Sequence, residues 1–222
     1  MKVLILGDKS DIAKGISSLM SKDGWAIQGW NRDTPDNHFR YFDQWDVLLV
    51  CVGRVSPVGM WQDQSITQVV DCLYSNLILP LQLVQRAWGR RGESPSVCFM
   101  AGSNPQKIMS GYTAYNVGKM GLLKLCEQLD FETPEAKFFA LGPGYVQTKI
   151  HRATLDAGWK NERIQRGGST PIETIYDCLK WCLKQPKEVV GGRNICASDP
   201  YGDELAQRLS SDPSLFKLRR VQ

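Results

Sequence analysis

The sequence is poor in most features that mark a specialised chain. It has two histidines, His38 and His151, far apart in its 222 residues. Its seven cysteines, at 51, 72, 98, 126, 178, 182 and 196, form no Cys-x-x-Cys pair, and their number is odd. A His/Cys metal centre would have to be assembled from scattered positions, so none is expected. Buried free thiols in a reducing compartment fit better than a disulfide framework. An excess of one charge is also lacking. The 27 basic and 23 acidic residues leave +4, evenly spread, and the tail Lys217, Arg219, Arg220 reads as a solvated end. That balance leaves no electrostatic footprint for nucleic acid. No apolar run approaches the roughly 20 residues needed to span a bilayer. The opening Met1–Gly7 stretch lacks the layout of a secretory leader. The expectation is a soluble, cytoplasmic protein with neither membrane nor nucleic-acid partners. Repeats, low-complexity segments and linkers are absent as well. Residues 1–222 are therefore expected to form one domain, with 203–222 as a charged C-terminal extension carrying one terminal helix. What is there, 42% hydrophobic and 23% charged residues, is the balance of a globular chain able to bury a full core.

Short apolar runs alternate with helical patterns. Val3–Leu6, Trp25–Trp30, Asp46–Val52, Ser96–Ala101, Ala136–Leu141 and Gly192–Ala197 read as strands. Helices are expected over Ile12–Ser21, Ser65–Trp88 (with Pro80 in its interior, a candidate kink), Thr113–Leu129 and Pro171–Gln185. Uninterrupted apolar strands alternating with helices indicate a doubly wound α/β fold, a parallel sheet with helices on both faces. Ligands of such sheets sit at the carboxyl ends of the strands. The segments to inspect are 7–13, 31–33, 51–54, 101–104 and 142–149.

After the first strand comes Gly7-Asp-Lys9-Ser10-Asp11-Ile12-Ala13, then a helix. A dinucleotide site needs a tight turn, close backbone approach and a helix N-terminus aimed at the pyrophosphate. Gly7 supplies the turn, and Ala13 is small enough for helix–strand packing. Asp11 stands where a middle glycine is usual; it is expected to cap the helix while its backbone serves the phosphate. The alternative is an ordinary strand–turn–helix. At the second strand end, Asn31-Arg32-Asp33 replaces the acid that usually holds a ribose 2′-hydroxyl. Arg32 and Lys9 are placed to grip a 2′-phosphate, which points to NADP, while Asp33 leaves room for NAD.

At Tyr115-Asn-Val-Gly-Lys119 the sequence resembles the short-chain dehydrogenase/reductase family, which uses a Tyr-x-x-x-Lys pair. The pair alone is weak, because Tyr145-x-x-x-Lys149 and Tyr176-x-x-x-Lys180 also occur. Context favours Tyr115. Ser103 lies 12 residues upstream, just past a strand, where that family places a serine. Asn76 matches its helix asparagine. Pro143-Gly144-Tyr-Val146-Gln-Thr148 looks like its Pro-Gly-x-Val-x-Thr element, and Gly191-Gly192-Arg193-Asn194-Ile195 resembles the start of its last strand. The resemblance covers roughly residues 1–198. It implies a Rossmann-type sheet of six to seven strands, an NADP-dependent oxidoreductase acting on a carbonyl or secondary alcohol, and a homodimer or homotetramer built on the long helices. It also implies roles. Tyr115 is the acid/base. Lys119 lowers the Tyr115 pKa and holds the nicotinamide ribose, Ser103 holds the substrate oxygen, and Asn76 anchors a water. Gly7, Lys9, Ser10, Asp11, Ile12, Asn31, Arg32, Val52, Gly53, Pro143, Gly144, Val146 and Thr148 meet the cofactor.

Two departures stand out. The family's Asn-Ala-Gly is here Cys51-Val52-Gly53, which keeps the glycine and loses the asparagine. The stretch from Trp30 to Asp46 is too short for the usual helix, strand and helix, so the edge strand is expected to be missing or stunted. His38–Phe42 is then either a vestigial strand or part of one short helix, and Asp43 matches the family's adenine-contacting aspartate only loosely. The loop from Lys149 to Ser169, holding His151, Arg152, Trp159 and Arg163, corresponds to the one that closes over substrate in the family. Gly158, Gly167 and Gly168 give it hinges. Tyr112 is a further candidate for the substrate pocket. Two other functions compete: a catalytically silent nucleotide-sensing or scaffold protein on the same fold, and a nucleotide-sugar epimerase or dehydratase, for which the chain leaves little room.

Overall fold

The computed structural model describes residues 1–102, 107–159 and 168–219. Its centre is one parallel sheet in the order β2-β1-β3-β4-β5-β6. The strands are β1 (Lys2–Leu6), β2 (Ala26–Trp30), β3 (Trp45–Val50), β4 (Arg91–Met100), β5 (Lys137–Gly142) and β6 (Asn194–Cys196). The helices are α1 (Asp11–Lys22), α2 (Ile66–Leu73), α3 (Leu79–Ala87), α4 (Thr113–Glu132), α5 (Arg152–Asp156), α6 (Ile172–Lys184), α7 (Lys187–Val190) and α8 (Asp203–Ser211).

The strands are apolar throughout because both sheet faces are covered. Alternate residues supply two cores. Val3, Ile5, Val47, Leu49, Cys98, Phe139 and Leu141 face α1 and α6. Leu4, Leu6, Leu48, Val50, Val97, Phe99 and Phe138 face α3 and α4. All seven cysteines are free; six are buried and Cys51 is half-buried.

Among the described residues the sheet has six strands, and the outer edge strand is missing, as expected. Between β2 and β3 the chain makes a 3₁₀ turn, Asp36–Tyr41, whose Phe39, with the following Phe42, is buried beside Trp30. Of the two options for His38–Phe42, the short helix is the one found. Strand β4 starts earlier than expected, at Arg91, but its pairing with β3 jumps between Trp45/Arg91 and Val47/Ser96. Pro95, which has no N–H for the ladder, lies in that irregular stretch.

The Ser65–Trp88 helix is divided rather than merely kinked. A π-helical turn, Tyr74–Ile78, separates α2 from α3, and the Leu79 N–H bonds five residues back to the Tyr74 carbonyl. Pro80 explains the break, because it cannot donate the α-helical bond that the Asn76 carbonyl would accept.

At the amino ends of β5 and β6, three cations close helix C-termini. Lys137 Nζ donates to the carbonyls of Cys182, Leu183 and Gln185 at 3.1, 2.9 and 2.7 Å, ending α6. Lys187 Nζ donates to the carbonyls of Asp130, Thr133 and Ala136 and to Asp130 Oδ1, ending α4. The fully buried Arg193 donates to Glu188 and Val189 of α7 and to Leu209 and Asp212 at the end of α8. Each cation sits on the negative end of a helix dipole and satisfies carbonyls left without an intrahelical partner.

Candidate active site

The carboxyl ends of β1, β2 and β3 are tied to one another by backbone. The Gly7 N–H donates to the Trp30 carbonyl at 2.7 Å and that of Cys51 to the Leu6 carbonyl at 2.7 Å. Gly7 has φ +90°, and a Cβ there would lie 3.0 Å from the Cys51 carbonyl carbon and from Val52 Cγ1. Only glycine permits both the turn and this approach.

The helix cap differs from expectation. Ser10, not Asp11, is the N-cap of α1, its Oγ accepting the Ala13 N–H at 3.1 Å. Asp11 is the first helical residue, with Ile12 next. The serine wins because Asp11 is engaged elsewhere: its carboxylate accepts the Lys149 backbone N–H at 2.8 Å and lies 3.6 Å from Lys149 Nζ. Lys149 Nζ also donates to the Lys9 carbonyl at 2.7 Å.

At the end of β2, Asn31 Nδ2 donates to Asp8 Oδ1 at 2.9 Å, and the Asp33 N–H donates to Asn31 Oδ1. Lys9 Nζ pairs with Asp33 Oδ2 at 2.5 Å, both side chains largely exposed, and the lysine holds the Asp33 carboxyl below its ordinary range. Arg32 is exposed. Asp43 is held by Gln28 of β2 through two hydrogen bonds of 2.9 and 3.2 Å.

After β3, Gly53, Asn76 and Lys119 converge. A Cβ on Gly53 would lie 2.7 Å from Asn76 Oδ1 and 3.3 Å from Lys119 Nζ. Asn76 is fully buried in the π turn. Its Nδ2 donates to the Arg54 carbonyl at 2.7 Å and the Cys72 carbonyl at 2.9 Å, with Cys72 Sγ at 3.5 Å. Those acceptors fix the amide's orientation and leave Oδ1 buried with no partner among the described residues. Gly118 of α4 lets this happen, since a Cβ there would meet Asn76 Cβ at 2.9 Å.

Tyr115 and Lys119 stand one turn apart on α4. Lys119 is 4% exposed, and its Nζ donates to the Met100 carbonyl at 2.9 Å and lies 6.0 Å from the Tyr115 ring centroid. Burial lowers its pKa to about 8. Burial likewise pushes Tyr115 up to about 12. Desolvation of the phenolate dominates, and the Lys119 ammonium is turned toward Met100. Cys51 is pushed up to about 12 by burial, with Lys119 and the Ser10 hydroxyl opposing.

Following β5, Gly144 packs under Thr170, whose N–H donates to the Tyr145 carbonyl at 2.7 Å. Pro143 and Val146 are buried and Thr148 is half-buried. The following loop is seated on the start of α4. Tyr112 Oη donates to the buried Thr154 Oγ1 at 3.0 Å, and Trp159 Nε1 donates to the Ser110 carbonyl at 2.9 Å. A Cβ on Gly111 would strike the Trp159 ring at 2.4 Å. His151 rests against Tyr145 at 4.9 Å, and burial lowers its pKa. Arg152 is exposed.

Gly53, Asn76, Tyr115 and Lys119 are brought together. Gly7, Lys9, Ser10, Asp11, Ile12, Asn31, Arg32, Val52, Pro143, Gly144, Val146 and Thr148 lie on the neighbouring strand ends. Ser103, Arg163 and Gly167 lie outside the described residues. The rival pair Tyr176 and Lys180 is structural: Tyr176 Oη donates to Asp23 Oδ2 at 2.8 Å, and Lys180 Nζ lies 3.8 Å from the same oxygen. In the sequence Lys149 stands only as the end of a rival Tyr-x-x-x-Lys and the start of the loop to Ser169; its partners Asp11 and Lys9 come from the fold. Cys72 lies four residues before Asn76 and so shares its helix face.

No protein-family model and no curated protein matches the sequence. Solved structures do match. A small-chain dehydrogenase in complex with NADPH superposes with a TM-score of 0.76 at 15% identity, over 88% of this chain and 95% of that one. The ligand-free aldohexose dehydrogenase of Thermoplasma acidophilum gives 0.73 at 15% identity, over 91% and 96%. A short chain dehydrogenase from Shigella flexneri, complexed with NADP, gives 0.72 at 14% identity, over 89% and 97%. The chain has the short-chain dehydrogenase/reductase fold.

Proposed function

We propose that this chain, on a fold it shares with the short-chain dehydrogenases/reductases, is an NADP-dependent oxidoreductase of that family. It interconverts a carbonyl and a secondary alcohol, with Tyr115 as acid/base. The observation that carries this reading is the convergence of Asn76 and Lys119 on the Gly53 backbone, one helical turn from Tyr115. The cradle fits a dinucleotide: a Cβ at Gly7 or Gly53 would close it, and Asn76 Oδ1 is a buried acceptor without a partner among the described residues.

A bound nicotinamide supplies or takes the hydride. The chain's own groups manage the charge this leaves on the substrate oxygen. Tyr115 Oη gives or takes the proton at that oxygen. Lys119, half-titrated near pH 8 and held by Met100, turns toward the nicotinamide ribose and the tyrosine, and there its charge favours the phenolate. Asn76 Oδ1 accepts from the water that relays protons to Lys119. Ser103 holds the substrate oxygen. The Gly7–Ile12 backbone and the α1 N-terminus receive the pyrophosphate. Pro143, Gly144, Val146 and Thr148 meet the nicotinamide end. Lys9 and Arg32, with Asn31 fixing the turn, receive the 2′-phosphate once Lys9 leaves Asp33.

Residues 1–222 act as one dinucleotide-binding domain, with α8 and the tail as its extension. No helix among the described residues is long and apolar enough to cross a membrane. A cytoplasmic location completes the reading. Ile66, Val70, Tyr74 and Ile78 form an exposed apolar stripe at every fourth residue along α2 and the π turn, with Val117 of α4 also exposed. This stripe suits a homodimer or homotetramer.

The second reading, a silent nucleotide-sensing protein, rests on Asp11 and Cys51, which replace residues the family uses at the cofactor. Titration of NADPH and NADH, read by energy transfer from the seven tryptophans, tests both. NADPH is expected to bind at least about tenfold more tightly than NADH, with Arg32→Ala erasing the difference. Reversed preference removes NADP and keeps the enzyme. Binding without turnover across a carbonyl panel selects the silent reading.

A further inference from the structure

The Asp11 carboxylate stands at the mouth of α1, where the backbone amides of the β1–α1 loop would otherwise face a pyrophosphate. It is not idle there. It accepts the backbone N–H of Lys149 and lies within ion-pair reach of the Lys149 ammonium, which also caps the Lys9 carbonyl. Lys149 directly follows Thr148, in the loop that would meet the nicotinamide half of the cofactor. Two loops from opposite halves of the sheet are thus joined across the cofactor path by one acid and one lysine.

We propose that Asp11 is an internal stand-in for the cofactor pyrophosphate, latching the loop after β5 onto the β1–α1 loop until a dinucleotide displaces it. The inference rests on the dinucleotide reading above and names the device that regulates that same site. The chemistry is one of matched acceptors. A carboxylate at a helix N-terminus answers the same dipole and donors as a phosphate. Both anions cannot occupy the mouth without repulsion, so one must yield. When the dinucleotide enters, Asp11 turns out to solvent, and the Lys149 N–H and ammonium pass from the carboxylate to the pyrophosphate oxygens. No bond is made or broken. The latch lowers the apparent affinity by the fraction of molecules in which it is open.

The test compares the full chain with Asp11→Ala. Circular dichroism first confirms that the variant is folded. NADPH and NADH are then titrated, and amide hydrogen exchange is followed at Lys149 without cofactor. If the latch is closed about nine-tenths of the time, Asp11→Ala binds dinucleotide about tenfold more tightly. The Lys149 amide, protected in the parent chain, exchanges faster in the variant. Equal or weaker dinucleotide binding by the variant overturns the latch and leaves the cofactor reading standing. Unchanged Lys149 exchange overturns the latch as well. Lys149 exchange that responds to Asp11→Ala while neither chain binds either dinucleotide overturns the cofactor reading, and the competitor role with it.

Discussion

At the amino ends of β5 and β6, Lys137, Lys187 and Arg193 direct their donors into helix carbonyls, and the buried atoms left there without a partner among the described residues are Arg193 Nε and Asn194 Oδ1. At the opposite, carboxyl ends, the buried Trp30 Nε1, Gln64 Oε1, Asn76 Oδ1 and Asn116 Oδ1 have none. Both ends bury cations, yet to different effect. Lys187 meets a carboxylate and three carbonyls, whereas Lys119 meets one carbonyl and is pulled down to about 8 by burial. The amino ends are closed by cations that answer many carbonyls, whereas the carboxyl ends leave four buried polar atoms without a partner among the described residues, and such groups carry a cost.

The comparison can be broken or sharpened by substitution. Tyr115→Phe removes the proposed proton donor at the carboxyl ends of the strands. Carbonyl reduction is expected to fall about 10³-fold with NADPH affinity nearly unchanged, measured by steady-state kinetics and titration on the same preparation. Arg193→Met strands carbonyls of two helix ends. Urea denaturation is expected to show a loss of about 3 kcal/mol, with the cofactor Kd of the folded protein unaltered.

Lys119→Met should do the opposite at the other end. The folded pKa lies near 8 and the unfolded one at 10.5, so below pH 8 the fold carries the full cost of a buried charge. Stability of the parent chain therefore rises as pH goes from 8 to 10.5, where the unfolded state binds more protons. The methionine variant is expected to gain about 2 kcal/mol at pH 7, after the lost Met100 hydrogen bond is subtracted. The gain vanishes toward pH 10.5, as read from urea midpoints across pH.

Much of the fold and part of the candidate site were legible in the sequence, while the cation caps at the amino ends were not. The strands announced themselves as continuous apolar runs because both faces are buried, and the shortage of residues between Trp30 and Asp46 forecast a sheet without its outer strand. Motif and context single out Asn76, Tyr115 and Lys119 as candidates, and the fold brings them together. What escaped was set by long-range contact. Asp11 read as a cap because its local sequence allowed it, but Lys149, 138 residues away, decides its role. Burial raises the Tyr115 pKa, and burial is a property of the packed chain and not of the Tyr-x-x-x-Lys spacing. The π turn at Asn76 could have been anticipated from Pro80, four residues on.

The cysteines carry a last consequence. Six thiols are buried, among them Cys98 and Cys178 on one sheet face and Cys126 on the other, and those of Cys98, Cys126 and Cys182 are held well above their ordinary range by desolvation. Since only the thiolate attacks, such groups are chemically quiet while the chain is folded. The molecule therefore carries its own opening clock. An alkylating reagent reaches each thiol only when the layer above it lifts, so the order in which they are modified would report which face of the sheet comes apart first.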